Sequence, residues 1–534
     1  MKILLVYPKM PSSFWTMNHT LKILGKAAWY PPLGLLTVAS MLPKTWHTRL
    51  IDLNVQPLSD QDIGWADQIF ISAMNVQEAS ARSIIRQCSD LGKPVVAGGS
   101  LFTLQSEHFP GVDHFILNEA EITLPPYLSD LEQGSPGKFY RSNDFAHVSE
   151  TPLPRWDLIA LDHYQYGIIQ YSRGCPYHCD FCDVPTLYGN RPRMKSPEQI
   201  IAELDVFRSN STVPSILFAD DNLIGNRKVL KQDLLPALIK WRRQHVPIFS
   251  FSTQVSINLV DDVEMMDLML EAGFRHLFIG IETDNEDTLK LTGKSQNMRR
   301  NILDSISILH RKGFIVVGGY IVGFDTDTLE TFHTQADLIQ NSGIMLATLN
   351  MLKAPPGTPL FERMQSEGRL IPGFSFHEAE SNITLNMPSK LFYQAFQQTI
   401  QKVYSPEYSF ERAKQWLAEF NHLPAVETDI PALNTLEYIP VLGRAIYFIG
   451  MKWSGRRYFW RLLWWTVRHR PRLLDWALVS TIFMYQLENL LNEYSQLLEE
   501  KIAELPDQKA PPVSTPQSRT REQADISSPY IQNE

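Results

Sequence analysis

Three of the chain's four cysteines stand within eight residues, Cys175-Pro176-Tyr177-His178-Cys179-Asp180-Phe181-Cys182. Thiolates are soft donors, so three on one loop suit iron or zinc. A zinc site asks for paired thiols and a fourth ligand; His178 is at hand, but no second knuckle occurs elsewhere in the chain. A disulfide would leave an odd thiol. Spacings of four and three set the sulfurs side by side, and this favours an iron–sulfur centre. The run Tyr166 to Ser172 reads as a strand, and Arg173-Gly174 breaks it, so the thiols belong to a loop at a strand's carboxyl end. The fourth cysteine, Cys88, shares an apolar helix face with Ile84 and Ile85 and reads as core.

The pattern Cys-x3-Cys-x2-Cys, with Phe181 before the last cysteine, resembles the signature of the radical S-adenosylmethionine (SAM) enzymes. The resemblance implies that Cys175, Cys179 and Cys182 hold three irons of a 4Fe–4S cluster. The fourth iron is then left to bind the amino and carboxylate groups of SAM, like the open position of a catalytic metal site.

Such a loop needs a scaffold, and the sequence around it alternates strand with helix. Strands are predicted at Ile168–Tyr171, Ser215–Ala219, Ile248–Ser252, His276–Ile281, Phe314–Ile321 and Leu346–Leu352, with helices near 227–244, 261–272, 298–311 and 327–341. Ser196-Pro197-Glu198-Gln199 is a helix start with a capping box. Six βα units make a partial TIM-type barrel, (β/α)6, over 166–370, with active residues on its carboxyl-end loops. Those loops carry Asp220-Asp221-Asn222, Gly280-Ile281-Glu282, Gly323-Phe324-Asp325 and Pro355-Pro356-Gly357-Thr358. The family resemblance implies Asn222, Gly280, Glu282 and Gly323 as SAM contacts and Phe181 as the residue whose backbone lies along the adenine. Asp221 and Asp325 either join them or cap the following helices.

Residues 1–140 also alternate, with strands expected at Ile3–Tyr7, Thr48–Asp52, Gln68–Ser72, Pro94–Ala97 and His114–Leu117 and a helix over 78–91 stopped by Gly92. This is a Rossmann-like, doubly wound α/β domain whose ligand site lies at the carboxyl ends of its strands. Gly98-Gly99-Ser100 and Glu119 sit at two such ends. Read alone, the glycine pair is a tight turn. Placed ahead of a radical SAM core, the domain is similar to the cobalamin-binding domain of that class, which implies Gly98, Gly99, Ser100 and Glu119 as cobalamin contacts. It departs from the pattern Asp-x-His-x-x-Gly: the loop after the first strand, Pro8 to Trp15, has no histidine. Either cobalt lacks a lower histidine ligand or the domain has lost the cofactor.

Residues 141–165 read as a linker, 371–505 as a helical C-terminal domain with amphipathic stretches at 388–420 and 476–504, and 506–534 as a disordered tail. Between 441 and 474 lie eight Lys or Arg residues, interleaved with Trp453, Tyr458, Phe459, Trp460, Trp464 and Trp465, and no acidic residue. That pattern suits the headgroup level of an anionic bilayer, the alternative being tryptophans packed inward and arginines solvated. A net charge of −9 argues against a nucleic-acid partner. The start lacks the features of a signal peptide and no spanning helix is expected. With free thiols and an oxygen-sensitive cluster, this points to a cytoplasmic protein, in peripheral contact with a membrane if the basic stretch docks on one.

The domain order, the phrases Phe181-Cys-Asp-Val-Pro-Thr-Leu-Tyr-Gly189 and Ala219-Asp-Asp-Asn-Leu-Ile-Gly-Asn226, and the helical tail together resemble the cobalamin-dependent radical SAM group that includes the hopanoid methylases. The likeness spans roughly residues 1–500. It implies a C-methyltransferase acting on an unactivated carbon of a lipid-like or pigment-like small molecule, with 4Fe–4S, SAM and cobalamin as cofactors and an electron donor such as flavodoxin or ferredoxin. Rival readings are a radical SAM enzyme of cyclisation, oxidation or rearrangement, and a non-catalytic cluster or corrin sensor.

Overall fold

Short apolar runs, each ended by a proline, glycine or polar residue, build two parallel sheets. The computed structural model describes residues 1–210, 213–245, 250–373, 380–420 and 439–506. The first sheet consists of β1 (Lys2–Tyr7), β2 (His47–Asp52), β3 (Gln68–Ser72), β4 (Val95–Gly98), β5 (His114–Ile116) and β6 (Phe139–Tyr140), in the order β2-β1-β3-β4-β5-β6. Its central strands are apolar throughout because helices bury both faces: Ile3, Leu5 and Phe70 on one side, Leu4, Val6 and Ile69 on the other. Strand order reverses between β1 and β3, which opens a crevice at their carboxyl ends. Cys88 is fully buried on the helix Glu78–Asp90, as expected of a core residue. The strand β6 was not anticipated, since two residues carry no periodicity.

The stretch 141–165 is no loose linker. It makes three short 3₁₀ turns, and Trp156 is buried with its ring 4.7 Å from Phe207. Ala27 donates to the His163 carbonyl at 2.9 Å, Tyr166 donates to the Trp29 carbonyl at 3.0 Å, and the Tyr164 hydroxyl donates to Asp52 at 3.0 Å. The two sheets are thus stitched together along this strap.

The second sheet holds β7 (Gly167–Ile169), then, after a small hairpin of β8 (Ser172–Arg173) and β9 (Arg193–Met194), β10 (Ser215–Phe218), β11 (Ser250–Gln254), β12 (Phe274–Glu282), β13 (Ile315–Val322) and β14 (Leu346–Met351). Its six strands are parallel in chain order from β7 to β14, with those two at free edges, so the barrel is open sideways. The strand expected at Ile248–Ser252 begins at Ser250, its first residues lying outside the described ones. Outward-facing residues such as Ile216, Ile279 and Ile281 are sealed beneath helices. The opposite face alternates with them: Ile168, Leu217, Ser252, Phe278, Val317 and Leu346 all keep partial exposure. An inner face that stays half-open in the middle of a sheet lines a chamber.

The helical region comprises Ser389–Val403, Pro406–Glu419, Ile439–Ala445, a π-helical turn Ile446–Lys452, Arg456–His469 and Leu474–Glu504. Pro406, at the first helical position and capped by Ser405, splits the amphipathic stretch expected over 388–420 in two. Trp416 is fully buried against Phe420 and Trp476 in a cluster that includes Ile315, the first residue of β13, and Met345, just before β14. The helices therefore close the amino end of the barrel and leave the carboxyl end for chemistry. Of the expected tail 506–534, all but Pro506 lies outside the described residues.

Trp416→Ala is expected to lower the free energy of unfolding by about 3–5 kcal/mol, the cost of a large buried aromatic replaced by a void. Trp464→Ala, at an exposed position, should cost under about 0.5 kcal/mol; urea denaturation of the two variants measures the contrast.

Candidate cluster and cofactor site

The cysteine loop leaves β8 through Gly174 and returns through β9. Gly174 has a φ of +94°, and a Cβ there would come within 2.9 Å of the Tyr188 and Gly189 carbonyl oxygens, so only glycine turns this corner. The loop is then tied down residue by residue. Cys175 donates its amide to the Gly189 carbonyl at 3.3 Å, Asp180 to that of Thr292 at 3.0 Å, and Cys182 to that of Cys179 at 3.1 Å. The Tyr177 hydroxyl accepts from Asn258 Nδ2 at 2.9 Å. All three cysteines are free thiols.

Three soft thiolates on one loop are a donor set that fits a cubane, which takes one thiolate per iron. Burial pushes the Cys175 and Cys179 thiols up and that of Cys182 to about 12. Lys294 pulls all three the other way, so thiolate character here calls for cationic partners.

Four expected SAM contacts flank the loop on neighbouring strand ends. Glu282 closes β12 across a register irregularity and adopts φ +61°, rare for a residue with a side chain and costing on the order of 1–3 kcal/mol. Its carboxylate pairs with Lys294 at 2.6 Å. A Cβ on Gly280 would collide with Glu282 Oε1 and lie 2.9 Å from Lys294 Nζ, so this glycine makes room for the Glu282–Lys294 pair. Lys294 Nζ also stands 5.9 Å from the centre of the Phe181 ring, which meets Phe324 edge-on at 6.0 Å. Gly323, φ +107°, and Phe324 donate their amides to Asp327 at 2.7 and 3.0 Å, and burial raises the Asp327 carboxyl to about 6. Asn222, at the end of β10, exchanges hydrogen bonds with Ser256 and is buried. Neither doubtful aspartate caps a helix: Asp221 accepts from the Gly174 amide at 3.3 Å, and Asp325 pairs with Arg363 and Arg369.

The residues expected to touch cobalamin divide. Gly99, φ +91°, starts the helix Ser100–Gln105 and crowds the β3 end so closely that a Cβ would lie 2.8 Å from the Ala73 carbonyl oxygen and Ser72 Oγ. Gly98 would likewise meet the Ile116 carbonyl oxygen at 2.8 Å. These glycines make close backbone packing as well as a bare strand end. Glu119 is buried and engaged within the protein. One of its oxygens takes Arg173 at 2.9 Å, and the other takes Arg193 at 2.9 Å and the Ala146 amide at 2.6 Å. Both carboxylate oxygens of Glu119 thus have partners within the protein. Glu121 adds a 2.7 Å pair to Arg173; burial works against its charge, but Arg173 outweighs it and holds the Glu121 carboxyl below the usual range.

Sequence reasoning passed over Arg173, Arg193 and Lys294. Arg173 and Arg193 face each other in register across the β8–β9 hairpin, and only that pairing turns two distant arginines into one binding fork. Asp220, also unassigned, accepts the Ser172 hydroxyl at 2.5 Å and the Tyr171 amide at 3.1 Å, and burial lifts its carboxyl to about 7.

Alanine at Cys175, Cys179 or Cys182 is expected to abolish the cubane absorption of the anaerobically reconstituted protein, while Cys88→Ala retains it. Glu119→Gln leaves two guanidiniums short of a buried partner and should cost about 3–5 kcal/mol; bound iron per chain should fall with it, read by iron analysis after gel filtration.

The radical SAM superfamily model matches residues 169–339, and a domain of unknown function, DUF4070, matches 358–500. An uncharacterized methyltransferase of Synechocystis sp. is 33% identical over 480 residues, 89% of each chain. The hopanoid C-2 methylase of Rhodopseudomonas palustris is 33% identical over 472 residues, 86% of this chain and 88% of that one. The fold matches that of the radical SAM methyltransferase TsrM from Kitasatospora setae, solved with cobalamin and a 4Fe–4S cluster bound, at a TM-score of 0.56 and 14% identity over 89% of this chain and 99% of that one. With its cysteine loop at the carboxyl end of an open parallel barrel and a likeness to these methyltransferases over 86–89% of its length, the chain belongs to the radical SAM superfamily, in the methyltransferase family that includes the hopanoid C-2 methylase.

Proposed function

We propose that this protein transfers a methyl group to an unactivated carbon of an apolar, lipid-like small molecule. It would use a 4Fe–4S cluster on Cys175, Cys179 and Cys182, SAM beside Glu282, and cobalamin at the carboxyl end of the first sheet. The observation that carries the reading is the meeting of three features at one junction: the thiol loop, the strained Glu282–Lys294 pair, and the mouth of a half-apolar chamber. Bound there, cluster and SAM supply a deoxyadenosyl radical, cobalamin supplies the methyl group, and a small electron-transfer protein supplies the electron.

The chain's own part is positional. Glu282 offers a carboxylate to an ammonium or ribose hydroxyl, and Gly280 leaves room for a ligand to lie against the strand end. Asn222, held by Ser256, stands at the end of β10, two strands from β12. Gly323 and Phe324 leave the Phe181 side of the loop apolar, suited to a flat base. Gly98, Gly99 and the amide end of Ser100–Gln105 suit the backbone approach of a nucleotide tail; Glu119 takes no part. Ile168, Leu217, Val317 and Leu346 exclude water from the chamber wall, which protects a carbon radical from quenching.

The basic aromatic stretch supports access to a membrane-borne substrate. The structure sorts its rings: Trp453, Tyr458 and Phe459 are buried, whereas Trp460 (50% exposed), Trp464 (67%) and Val467 (55%) share one face of Arg456–His469, beside Met451 (62%). No helix among the described residues is long and apolar enough to cross a membrane. A tryptophan face rimmed by Lys452, Arg456 and Arg468 matches the interface of an anionic bilayer.

Reduced, reconstituted protein given cobalamin, SAM and a hopanoid extract should form deoxyadenosine and S-adenosylhomocysteine together, with a 14-Da heavier product by mass spectrometry. Deoxyadenosine alone would point to a non-methylating reaction. In sedimentation with anionic liposomes, the double variant Trp460→Ala/Trp464→Ala should leave the pellet while the parent protein stays in it.

A further inference from the structure

We propose that Trp15 is a specificity-determining residue: delivered by the first sheet into the barrel mouth, it forms with Phe278 an aromatic wall that holds a flat, fused-ring apolar substrate. The proposal deepens the function given above and rests on it.

The loop from Pro8 to Trp15 follows β1 at the crevice where strand order reverses, and it carries no histidine. Its fold serves to present one side chain. Ser13 Oγ accepts the amides of Trp15 and Thr16, each at 3.2 Å, and Thr16 Oγ1 accepts the Ser13 amide at 2.9 Å and donates to the Pro11 carbonyl at 3.2 Å. Phe14 on one side and Met17 on the other are buried, Met17 in the left-handed region at φ 48°. Trp15 between them is 47% exposed.

That indole does not point into bulk solvent. Its ring lies 4.9 Å from that of Phe278, at 60°. Phe278 occupies the inward face of β12, where its ring covers Gly319 of the next strand; a Cβ on Gly319 would approach Phe278 Cζ to 2.9 Å. The tip of the phenyl ring thus fills the space that a side chain at Gly319 would take. Leu217, Val317 and Leu346 continue the apolar lining on the same inner face. Edge-to-face rings with free area beside them stack well on a fused-ring skeleton and offer nothing to a polar one.

The long C-terminal helix grips both ends of the loop. Glu493 accepts the Ser12 hydroxyl at 2.6 Å and lies 2.8 Å from His19 Nε2, while Gln486 accepts the amides of His19 and Thr20, each at 3.0 Å. A residue braced from two domains over the chamber of a third is held for contact, and the contact on offer is apolar.

The test uses the reconstituted full chain without SAM and pyrene as the fused-ring probe, titrated by its fluorescence. Trp15→Ala and Phe278→Ala are expected to weaken pyrene binding by about tenfold, Trp15→Phe to recover most of it, and Ile308→Ala, at an exposed helix position, to leave it unchanged. In turnover, Trp15→Ala should raise KM for the hopanoid substrate far more than it lowers kcat. Pyrene affinity unaltered in both alanine variants, or a phenylalanine variant no better than alanine with melting temperatures equal to the parent's, overturns the proposal. So does loss of hydroxocobalamin uptake in Trp15→Ala with pyrene binding retained, since Trp15 would then be a platform for the corrin. Because pyrene binding needs no methyl transfer, failure of the methylation assay with this binding pattern intact sinks the proposed function and leaves the aromatic wall standing.

Discussion

Two carboxylates from one domain and two guanidiniums from the next meet in a buried cluster at the root of the cysteine loop. Glu119 and Glu121 follow β5 of the first sheet, while Arg173 and Arg193 form the paired stem from which the loop projects. Taking four charges out of water is expensive, and such a group persists only where geometry and added hydrogen bonds compensate. Here the forked guanidiniums hold carboxylate oxygens at 2.7–2.9 Å, and the Ala146 amide and carbonyl complete the set. The consequence is mechanical. The loop bearing the thiols cannot shift without breaking a buried ion network anchored in the other domain, so the distance between the two sheets' carboxyl ends is set at this point.

Around that junction the molecule divides its surfaces by chemistry. The helical region seals the amino end of the barrel with tryptophans and leaves the carboxyl end open. The inner face of the barrel sheet stays half-exposed in its middle and is largely apolar, with Ser252 among its residues, while its rim carries Glu282, Lys294, Asn222 and Asp327. Glu282 carries backbone strain, in a left-handed conformation held by a 2.6 Å ion pair. Strain of that kind survives where surrounding structure over-determines it, and strand ends beside a cofactor site are where it commonly gathers.

Much of the scaffold was legible from residues alone. Parallel strands buried on both faces are written as continuous apolar runs, and the runs around Leu5, Phe70, Val96 and Ile279 announced themselves. The box at Ser196 and Gln199 formed as read, with reciprocal bonds of 2.9 and 3.3 Å. Failures had a common cause: each concerned a residue whose role depends on a partner far along the chain. The pairing of Glu119 went unread because a carboxylate at a strand end looks available until two arginines more than fifty residues away close on it. Trp156 read as part of a linker because nothing nearby in sequence says that Phe207 awaits it. The tryptophans of 441–474 could not be sorted into buried and exposed without knowing which face of their helix meets Phe410 and Ile449.

By itself the sequence determined the thiol loop, the count of barrel strands and the kind of centre three cysteines can hold, since donor softness, spacing and periodicity are local properties of a chain. Tertiary structure alone decided which charged groups face a ligand and which are consumed in holding the domains together. It also decided that Trp15, from a loop without chemistry of its own, reaches a phenylalanine 263 positions later. Contacts of that separation arise from how sheets and helices pack against one another, and no local pattern encodes them.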